Sequence, residues 1–170
     1  QIQAIRKMQT LSIYPSDSIK VCLGLFCSGN FNFGDKERQK IAQIGGFQWD
    51  NVKKIKIKED LLVHLEKGGV GSVLLDALKF LKRHACNFCA DFSAEYADIS
   101  FGGLGADEGW TTVIARSPIG AKILSDSKGT AIEENRPKPY SDLPNQALKK
   151  VRLWSDKKKK AALANRKMIV

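Results

Sequence analysis

The placement of four cysteines constrains what this 170-residue chain can fold into more than any other feature. Cys86 and Cys89 form a CxxC pair, whereas Cys22 and Cys27 lie roughly sixty residues earlier in the chain. Two thiolates with the CxxC spacing can bind one metal centre without straining the backbone, and the pair therefore occurs in zinc, redox and iron-sulfur sites. Small zinc modules join their ligands over a short span. A metal centre that joined Cys27 to the CxxC pair would therefore need a domain that folds through its own packing and does not depend on the metal.

Charge and hydrophobicity indicate in which cellular environment the chain is expected. It carries 28 Lys and Arg against 18 Asp and Glu, and its opening segment Gln1–Gln9 predicts a charged amphipathic helix instead of an apolar signal segment. No run approaches the roughly 18 apolar residues that span a bilayer, so we expect no membrane insertion. Disulfides persist mainly in oxidising compartments, and we expect reduced thiols in a cytoplasmic protein. Because the chain opens at Gln1 within a helical pattern, we also expect a fragment of a longer protein.

The two early cysteines are predicted to differ in role. The apolar run Ile19–Phe26 predicts a buried strand that delivers Cys27 at its end. Side chains alternate along a strand, so Cys22 and Cys27, an odd number of residues apart, should point in opposite directions. We predict that Cys22 is a small buried hydrophobe and that Cys27 is a ligand. On the residues alone an iron-sulfur cluster is favoured, while zinc and structural thiols stay open. A four-thiolate cluster would need either Cys22 or one ligand from outside the chain, and we favour the second.

Helical and strand patterns alternate along the rest of the chain. Helical patterns cover Asp35 to Ile44, Val73 to Leu81, Gly120 to Asp126 and a terminal stretch from Ser141, and strand patterns cover Val52 to Ile57, Leu61 to Leu65, Ala97 to Phe101, Trp110 to Arg116 and Gly129 to Glu134. The mixture predicts a single α+β or α/β domain, with a small mixed sheet flanked by helices and a long, basic C-terminal helix.

A glycine-rich loop, Gly102–Gly109, joins two of the predicted strands. Bare backbone N–H groups at a strand end can approach a phosphate or a cluster sulfur, although a tight turn that needs positive φ explains the glycines equally well. Trp110 could stack on a ring and Arg116 could pair with a phosphate, but a Trp at the start of a strand is more often part of the core. We find no Ser/His/Asp constellation, P-loop or paired carboxylates, and we predict no catalytic residue.

The net charge of +10 is concentrated at the C-terminal end. Residues 136–170 hold eleven Lys and Arg against two Asp, which leaves +1 for everything before them. Such a tail can meet an acidic partner or an anionic ligand, or can be simply solvated. The predicted terminal helix should dock through an apolar stripe and leave its lysine run, Lys157–Lys160, solvent-facing. The stripe residues are Ala147, Leu148, Val151 and Trp154.

Four segments carry a resemblance to a known family. They are Leu25–Phe31, which contains Cys27, Cys86–Phe92, which contains the CxxC pair, Ala97–Ser100, and Gly109–Arg116. In this order and spacing they resemble the C-terminal region of the coenzyme F420 hydrogenase and dehydrogenase beta-subunit family. The resemblance covers residues 1–135, which we expect to form an iron-sulfur-binding region, and leaves 136–170 as a basic helical tail.

The resemblance implies a function and a set of site residues. Members of this family carry FAD and a 4Fe-4S cluster and move electrons between partner subunits of a hydrogenase or formate dehydrogenase and coenzyme F420. By resemblance, Cys27, Cys86 and Cys89 would be cluster ligands, and a Cys just upstream of Gln1 would be the fourth. The residues expected near the cofactors are Gly102, Gly103, Gly105, Trp110, Thr111 and Thr112. The family's flavin-binding segment lies upstream of Gln1, so we expect the fragment alone to be inactive and to hold its cluster poorly.

An alternative of another class is a non-catalytic, zinc-stabilised interaction module whose basic helix binds nucleic acid or an acidic protein. The oxidoreductase interpretation expects no nucleic acid partner. Stoichiometric zinc would favour the module, whereas iron, sulfide and broad visible absorbance would favour the cluster.

Overall fold

The computed structural model describes residues 2–57, 60–107, 109–134 and 143–167. The helices are α1 (Ile2–Thr10), α2 (Asp35–Gly45), α3 (Pro118–Ser127) and α4 (Leu143–Lys167), and the strands are β1 (Leu23–Leu25), β2 (Val52–Ile57), β3 (Leu61–Leu65), β4 (Val70–Val73), β5 (Ile99–Gly102) and β6 (Thr112–Ala115). They form two compact units: Gln1–Ser28 with Phe88–Val170, and Gly29–Asn87. Each unit contains one three-stranded sheet.

The sheet of the first unit is mixed. β1 pairs in parallel with β5, and β5 pairs antiparallel with β6. α3 begins at a sequence-encoded cap, since the Ser117 hydroxyl accepts the Gly120 N–H at 3.2 Å and Pro118 follows as the first helical residue. A Cβ on Gly120 would lie 2.1 Å from the carbonyl oxygen of Asp98. Glycine at this position therefore lets α3 approach the backbone at the start of β5.

A buried carboxylate, Asp98, joins three parts of the first unit. Its side chain accepts hydrogen bonds from the Arg6 guanidinium at 2.7 Å, the Cys22 N–H at 2.8 Å and the Ser117 hydroxyl at 2.6 Å. Burial raises the pKa of Asp98, but the hydrogen bonds from Ser117, Cys22 and Arg6 outweigh burial and hold that pKa below its ordinary value. The carboxylate thus ties α1 and the start of α3 to the segment before β1.

The second unit is an antiparallel sheet, in the order β2-β3-β4, with α2 and short 3-10 helices. α2 ends as predicted, because Gly46 adopts the left-handed conformation with a φ of 67° and caps the helix through a bond to Ala42. The core of the unit consists of fully buried aliphatic side chains, Ile41, Leu61, Val63, Val73, Leu78 and Leu81. Removal of these side chains from water stabilises the unit.

The α+β class, the small mixed sheet with flanking helices and the long C-terminal helix are confirmed. The strand predicted at Gly129–Glu134 is wrong: this segment is a turn with one isolated bridge, Lys128 to Ile132. The helix predicted from Val73 is instead the end of β4 followed by a 3-10 helix, Leu75–Leu81. The boundary predicted after residue 135 and the helix start at Ser141 lie outside the described residues. No helix in the described part of the chain combines the length and apolar content needed to cross a bilayer.

Candidate metal centre

The four cysteines are free thiols and differ in exposure. Cys22 is buried, 5% exposed, beside Asp98, which confirms its predicted role as a small core residue. Cys27 and Cys86 are half-buried and Cys89 is exposed. The three cysteines that the sequence nominates as ligands are therefore the three that are accessible to a bound group.

Cys27 lies just beyond β1 and is held through both of its backbone groups. Its N–H donates to the Phe92 carbonyl at 2.7 Å, and its own carbonyl accepts a hydrogen bond from the Lys158 ammonium of α4. The preceding residue, Phe26, donates its N–H to the Phe101 carbonyl at 2.8 Å, which extends the β1–β5 pairing by one bond. Cys27 therefore follows a strand as predicted, and its backbone is fixed on both sides. The strand itself is shorter than the predicted Ile19–Phe26, and it is not the buried strand expected, since Leu23 and Leu25 are exposed.

Cys86 belongs to the second unit and receives a backbone donor. It lies in the 3-10 helix His84–Asn87, and the Asn30 N–H donates to its sulfur at 3.2 Å. The Asn30 carbonyl in turn accepts the Arg83 N–H at 2.9 Å. A backbone N–H directed at sulfur stabilises negative charge there, and hydrogen bonds of this kind tune iron-sulfur clusters. The Gly29–Asn30 loop therefore supplies a hydrogen-bond donor to the Cys86 sulfur.

Cys89 belongs to the first unit, in the segment that leads to Phe92. Its sulfur contacts the Asp91 carbonyl at 3.6 Å, and the carbonyl of the preceding Phe88 accepts a hydrogen bond from Arg166 of α4 at 3.0 Å. The Phe92 ring stacks on Trp154 of α4 with 5.8 Å between centroids. Residues of α4 thus contact the Cys89 segment at two places.

The three candidate ligands flank the points where the chain passes from one unit to the other, after Ser28 and after Asn87. Among the described residues, no three His, Cys, Asp or Glu side chains are grouped closely enough to hold a single metal ion. The convergence of Cys27, Cys86 and Cys89 on one centre stays a prediction. The donor set itself, three soft sulfurs with an N–H directed at one of them, suits an iron-sulfur cluster.

The three glycines of the predicted cofactor loop lie in different structural surroundings. A Cβ on Gly102 would lie 2.5 Å from the Phe26 ring. Gly105 has a φ of 87°, and a Cβ there would lie 2.7 Å from the Cβ of Ala147 on α4. Gly103 has open space at the corresponding position. Close packing therefore explains Gly102 and Gly105, whereas Gly103 presents bare backbone to its surroundings.

Four of the six predicted cofactor residues line one cavity of about 710 Å³ in the first unit: Gly105, Trp110, Thr111 and Thr112. Gly102 and Gly103 do not line it. Trp110 is 40% exposed, and the Thr112 hydroxyl donates to the Leu104 carbonyl at 2.9 Å. Side chains of α3 and α4, among them Leu124 and Leu148, complete the wall. A mostly apolar cavity with a few polar groups is the common form of a small-molecule site.

Arg116 has a structural role in a second, more polar cavity of about 410 Å³. Its guanidinium donates to the Ser100 hydroxyl at 2.7 Å and to the carbonyl and hydroxyl of Ser93 at 3.0 Å. Lys159 and Glu95 pair at 2.8 Å on the wall of the same cavity, and the hydrogen bond that the ammonium donates to the Glu95 carboxylate raises the pKa of Lys159. Sequence reasoning missed Ser93 because nothing local marks a buried serine as an arginine partner.

The docking of α4 corrects two predictions about the tail. Ala147 and Val151 are buried as predicted, but Leu148 is 36% and Trp154 43% exposed, and Ser155 and Ala162 are buried in their place. The lysine run is not uniformly solvent-facing. Lys158 and Lys159 are half-buried and bond to the Cys27 carbonyl and to Glu95, whereas Lys157 and Lys160 are exposed. The helix face that packs is therefore rotated relative to the predicted stripe.

Comparison with known proteins places these features in a family. Residues 1–139 match the family model for the C terminus of the coenzyme F420 hydrogenase/dehydrogenase beta subunit. The chain is 35% identical over 152 residues to the coenzyme F420 hydrogenase beta subunit of Methanosarcina barkeri (strain Fusaro), and the match spans 84% of this chain and 52% of that protein. It is 30% identical over 139 residues to the Methanococcus voltae beta subunit, and this match spans 80% of this chain and 49% of that protein.

A solved structure is also similar. A chain of the F420-reducing NiFe hydrogenase complex from Methanosarcina barkeri superposes with a TM-score of 0.69 at 31% sequence identity, covering 90% of this chain and 56% of that one. The chain spans about half the length of the curated relatives it matches.

Proposed function

Since this chain belongs to the coenzyme F420 hydrogenase/dehydrogenase beta-subunit family, we propose that it is the iron-sulfur-binding part of a flavoprotein subunit that transfers electrons to or from coenzyme F420. The observation that carries the proposal is the set of three accessible free thiols, Cys27, Cys86 and Cys89, in the segments that match the family. Each is tied to neighbouring residues through backbone or sulfur contacts, and the fourth cysteine is buried in the core.

In this proposal a 4Fe-4S cluster is held by Cys27, Cys86 and Cys89, with a fourth ligand from outside the chain. The cluster supplies a one-electron carrier. The residues of the chain orient and tune it: Asn30 directs its N–H at the Cys86 sulfur, and the two backbone bonds of Cys27 fix the direction in which that ligand leaves β1.

The cavity beside Trp110, Thr111 and Thr112 is proposed as the region of this chain that faces the organic cofactors of the whole protein, FAD and coenzyme F420. Its support is the partly exposed Trp110 ring, which offers a stacking surface, and the hydroxyls at its wall. Gly103 adds open backbone near the end of β5, with Gly102 and Gly105 shaping the loop around it. In this proposal, residues outside this chain are needed to bind the flavin.

The proposed partners are the other subunits of a hydrogenase or dehydrogenase complex. This extends to the chain what is named for its relatives, which are F420 hydrogenase and F420H2 dehydrogenase subunits. A cytoplasmic location is part of the proposal, because thiolate ligands of a cluster need a compartment that keeps cysteines reduced.

A cysteine series tests the function. Cys27→Ser, Cys86→Ser and Cys89→Ser, each made in the whole protein and purified without oxygen, should each lose most bound iron and acid-labile sulfide, and F420 reduction with them. Cys22→Ala, which changes a buried thiol in the same chain, should keep both. Full iron and sulfide in all three serine variants would contradict the ligand assignment, and stoichiometric zinc in the parent protein would favour the interaction module.

A further inference from the structure

The packed face of α4 does not end where its apolar residues end. Val151, Ser155 and Ala162 are buried along one face of the helix. Lys158 and Arg166 continue the same face, because spacings of three and four residues keep side chains on one side of a helix. Lys158 is half-buried on this face and Arg166 is exposed at its end, so two cations lie on the same side of the helix as the buried residues.

Both cations bond to the segments that carry candidate ligands. The Lys158 ammonium donates to the carbonyl of Cys27 itself, and the Arg166 guanidinium donates at 3.0 Å to the carbonyl of Phe88, the residue before Cys89. These contacts connect α4 to positions 131 and 78 residues away in the sequence, all within the first unit. Neither bond can arise from local helix structure.

Just before Lys158, the helix is anchored on the segment that follows Cys89. Trp154 stacks on Phe92, whose carbonyl accepts the Cys27 N–H, and the Ser155 hydroxyl bonds to the Ser93 hydroxyl at 3.3 Å. The backbone of Cys27 is thus held by Lys158 directly and by Trp154 through Phe92. Removing the Lys158 cation would leave one of these two restraints.

We propose that α4 is a positioning element for the candidate ligands, in which Lys158 and Arg166 hold the backbone of Cys27 and of the residue before Cys89. The proposal rests on the proposed function for its cluster. The restraints on the backbone of Cys27 and Phe88 are hydrogen bonds of the structure and do not depend on a cluster. The cations also lie beside segments whose thiolates would carry negative charge, so they favour the ligated state electrostatically. The Lys158 ammonium is accordingly bound to the Cys27 carbonyl of the same chain, whereas Lys160 is exposed.

The test replaces each cation with methionine, which keeps a long stem and removes the charge and the donor. Lys158→Met, Arg166→Met and the double variant are compared with Lys160→Met, a matched charge loss on the exposed face. The whole protein is reconstituted with iron and sulfide without oxygen, and iron retention is measured against a chelator. We expect Lys158→Met to weaken retention by about 10-fold, as for other residues that orient a metal ligand. Arg166→Met should weaken it less, Lys160→Met should match wild type, and Lys158→Arg should restore retention.

A second measurement needs no cluster. In the reduced, metal-free protein, the rate at which a small alkylating reagent modifies each thiol is followed by mass spectrometry. Cys27 and Cys89 should react several-fold faster in the double variant than in wild type or Lys160→Met, with unchanged far-UV circular dichroism. Equal iron retention and equal alkylation rates in the double variant and wild type would overturn the role of α4. If wild type itself takes up no iron, the proposed function fails, and the alkylation rates alone decide on α4.

Discussion

The two units of this chain are stabilised in different ways. The second unit is organised by an aliphatic core in which Ile41 and Val63 are completely buried. The buried polar residues in the described part of the chain all belong to the first unit: Ser16, Ser93, Asp98, Ser100 and Ser155. Apolar burial is non-directional, whereas buried hydrogen bonds fix specific geometry. The first unit also buries apolar side chains, among them Phe92, Ile99 and Val151, so what distinguishes it is the buried hydrogen-bond network that it adds to apolar burial.

The largest expected effect comes from removing the centre of the polar network. Asp98→Ala would leave the Arg6 guanidinium, the Cys22 N–H and the Ser117 hydroxyl without their shared acceptor. We expect a loss of about 3–5 kcal/mol in the free energy of unfolding, the usual cost of breaking a buried charged pair. Chemical denaturation measures it, with Asp107→Ala, an exposed carboxylate in the same unit, as the control. A loss below that of an ordinary surface substitution would show that the network is dispensable.

A cavity in the second unit should cost slightly less and act differently. Leu61 is 1% exposed and packs among Ile41, Val63 and Val73. Leu61→Ala should destabilise by about 2–5 kcal/mol through lost burial and the cavity left behind. Because no charge is involved, the loss should be the same at acidic and neutral pH, in contrast to Asp98→Ala. A loss of stability that changed strongly with pH would contradict the claim that this unit is stabilised by apolar burial.

The pH dependence of stability distinguishes the units next. The pKa of Asp98 is held below its ordinary value in the folded protein, so the unfolded state takes up a proton at higher pH than the folded state does. The contribution of Asp98 is therefore complete above the unfolded pKa of about 3.9 and is lost as pH falls through the folded pKa. Unfolding curves of wild type and Asp98→Asn should converge as the pH is lowered from neutral into the range below the unfolded pKa. A constant difference across this range would contradict the assignment.

The smallest effect is expected at the rim of the polar cavity. Lys159 and Glu95 pair at 2.8 Å, but their side chains are 44% and 31% exposed. Water screens such a pair, and Lys159→Gln should cost about 0.5 kcal/mol, falling further in high salt. Lys160→Gln, next in the chain and exposed, should be neutral in thermal unfolding. A loss as large as that of Asp98→Ala would place the Lys159 pair among the structural contacts of the unit.

How far the sequence predicts this structure depends on the range of each interaction. The helix that ends at Gly46 and the two strands β2 and β3 follow from local periodicity and turn chemistry, and the structure confirms them. The strand before Cys27 is confirmed only in part, because it is Leu23–Leu25 and its two leucines are exposed. The burial of Cys22 also followed from its place inside an apolar run. These features depend on neighbours within a few residues.

The remaining features depend on contacts between distant segments. The contact between Gly105 and Ala147 and the bond from Lys158 to the Cys27 carbonyl exist only once α4 has docked. The run of four lysines suggested uniform solvation, because nothing local distinguishes Lys158 from Lys160. Likewise, Arg116 offered a cation for a phosphate, whereas the fold uses it to bridge Ser93 and Ser100. Sequence patterns therefore point to candidate ligands but not to the residues that hold their backbone.

Elemental analysis of the whole protein, purified without oxygen, tests the central claim most directly. If Cys27, Cys86 and Cys89 hold a 4Fe-4S cluster with a fourth ligand from outside this chain, the protein should contain about four iron and about four acid-labile sulfide per chain. Both should fall together in Cys27→Ser. One zinc per chain without sulfide, or a protein free of metal after anaerobic purification and reconstitution, would contradict the account.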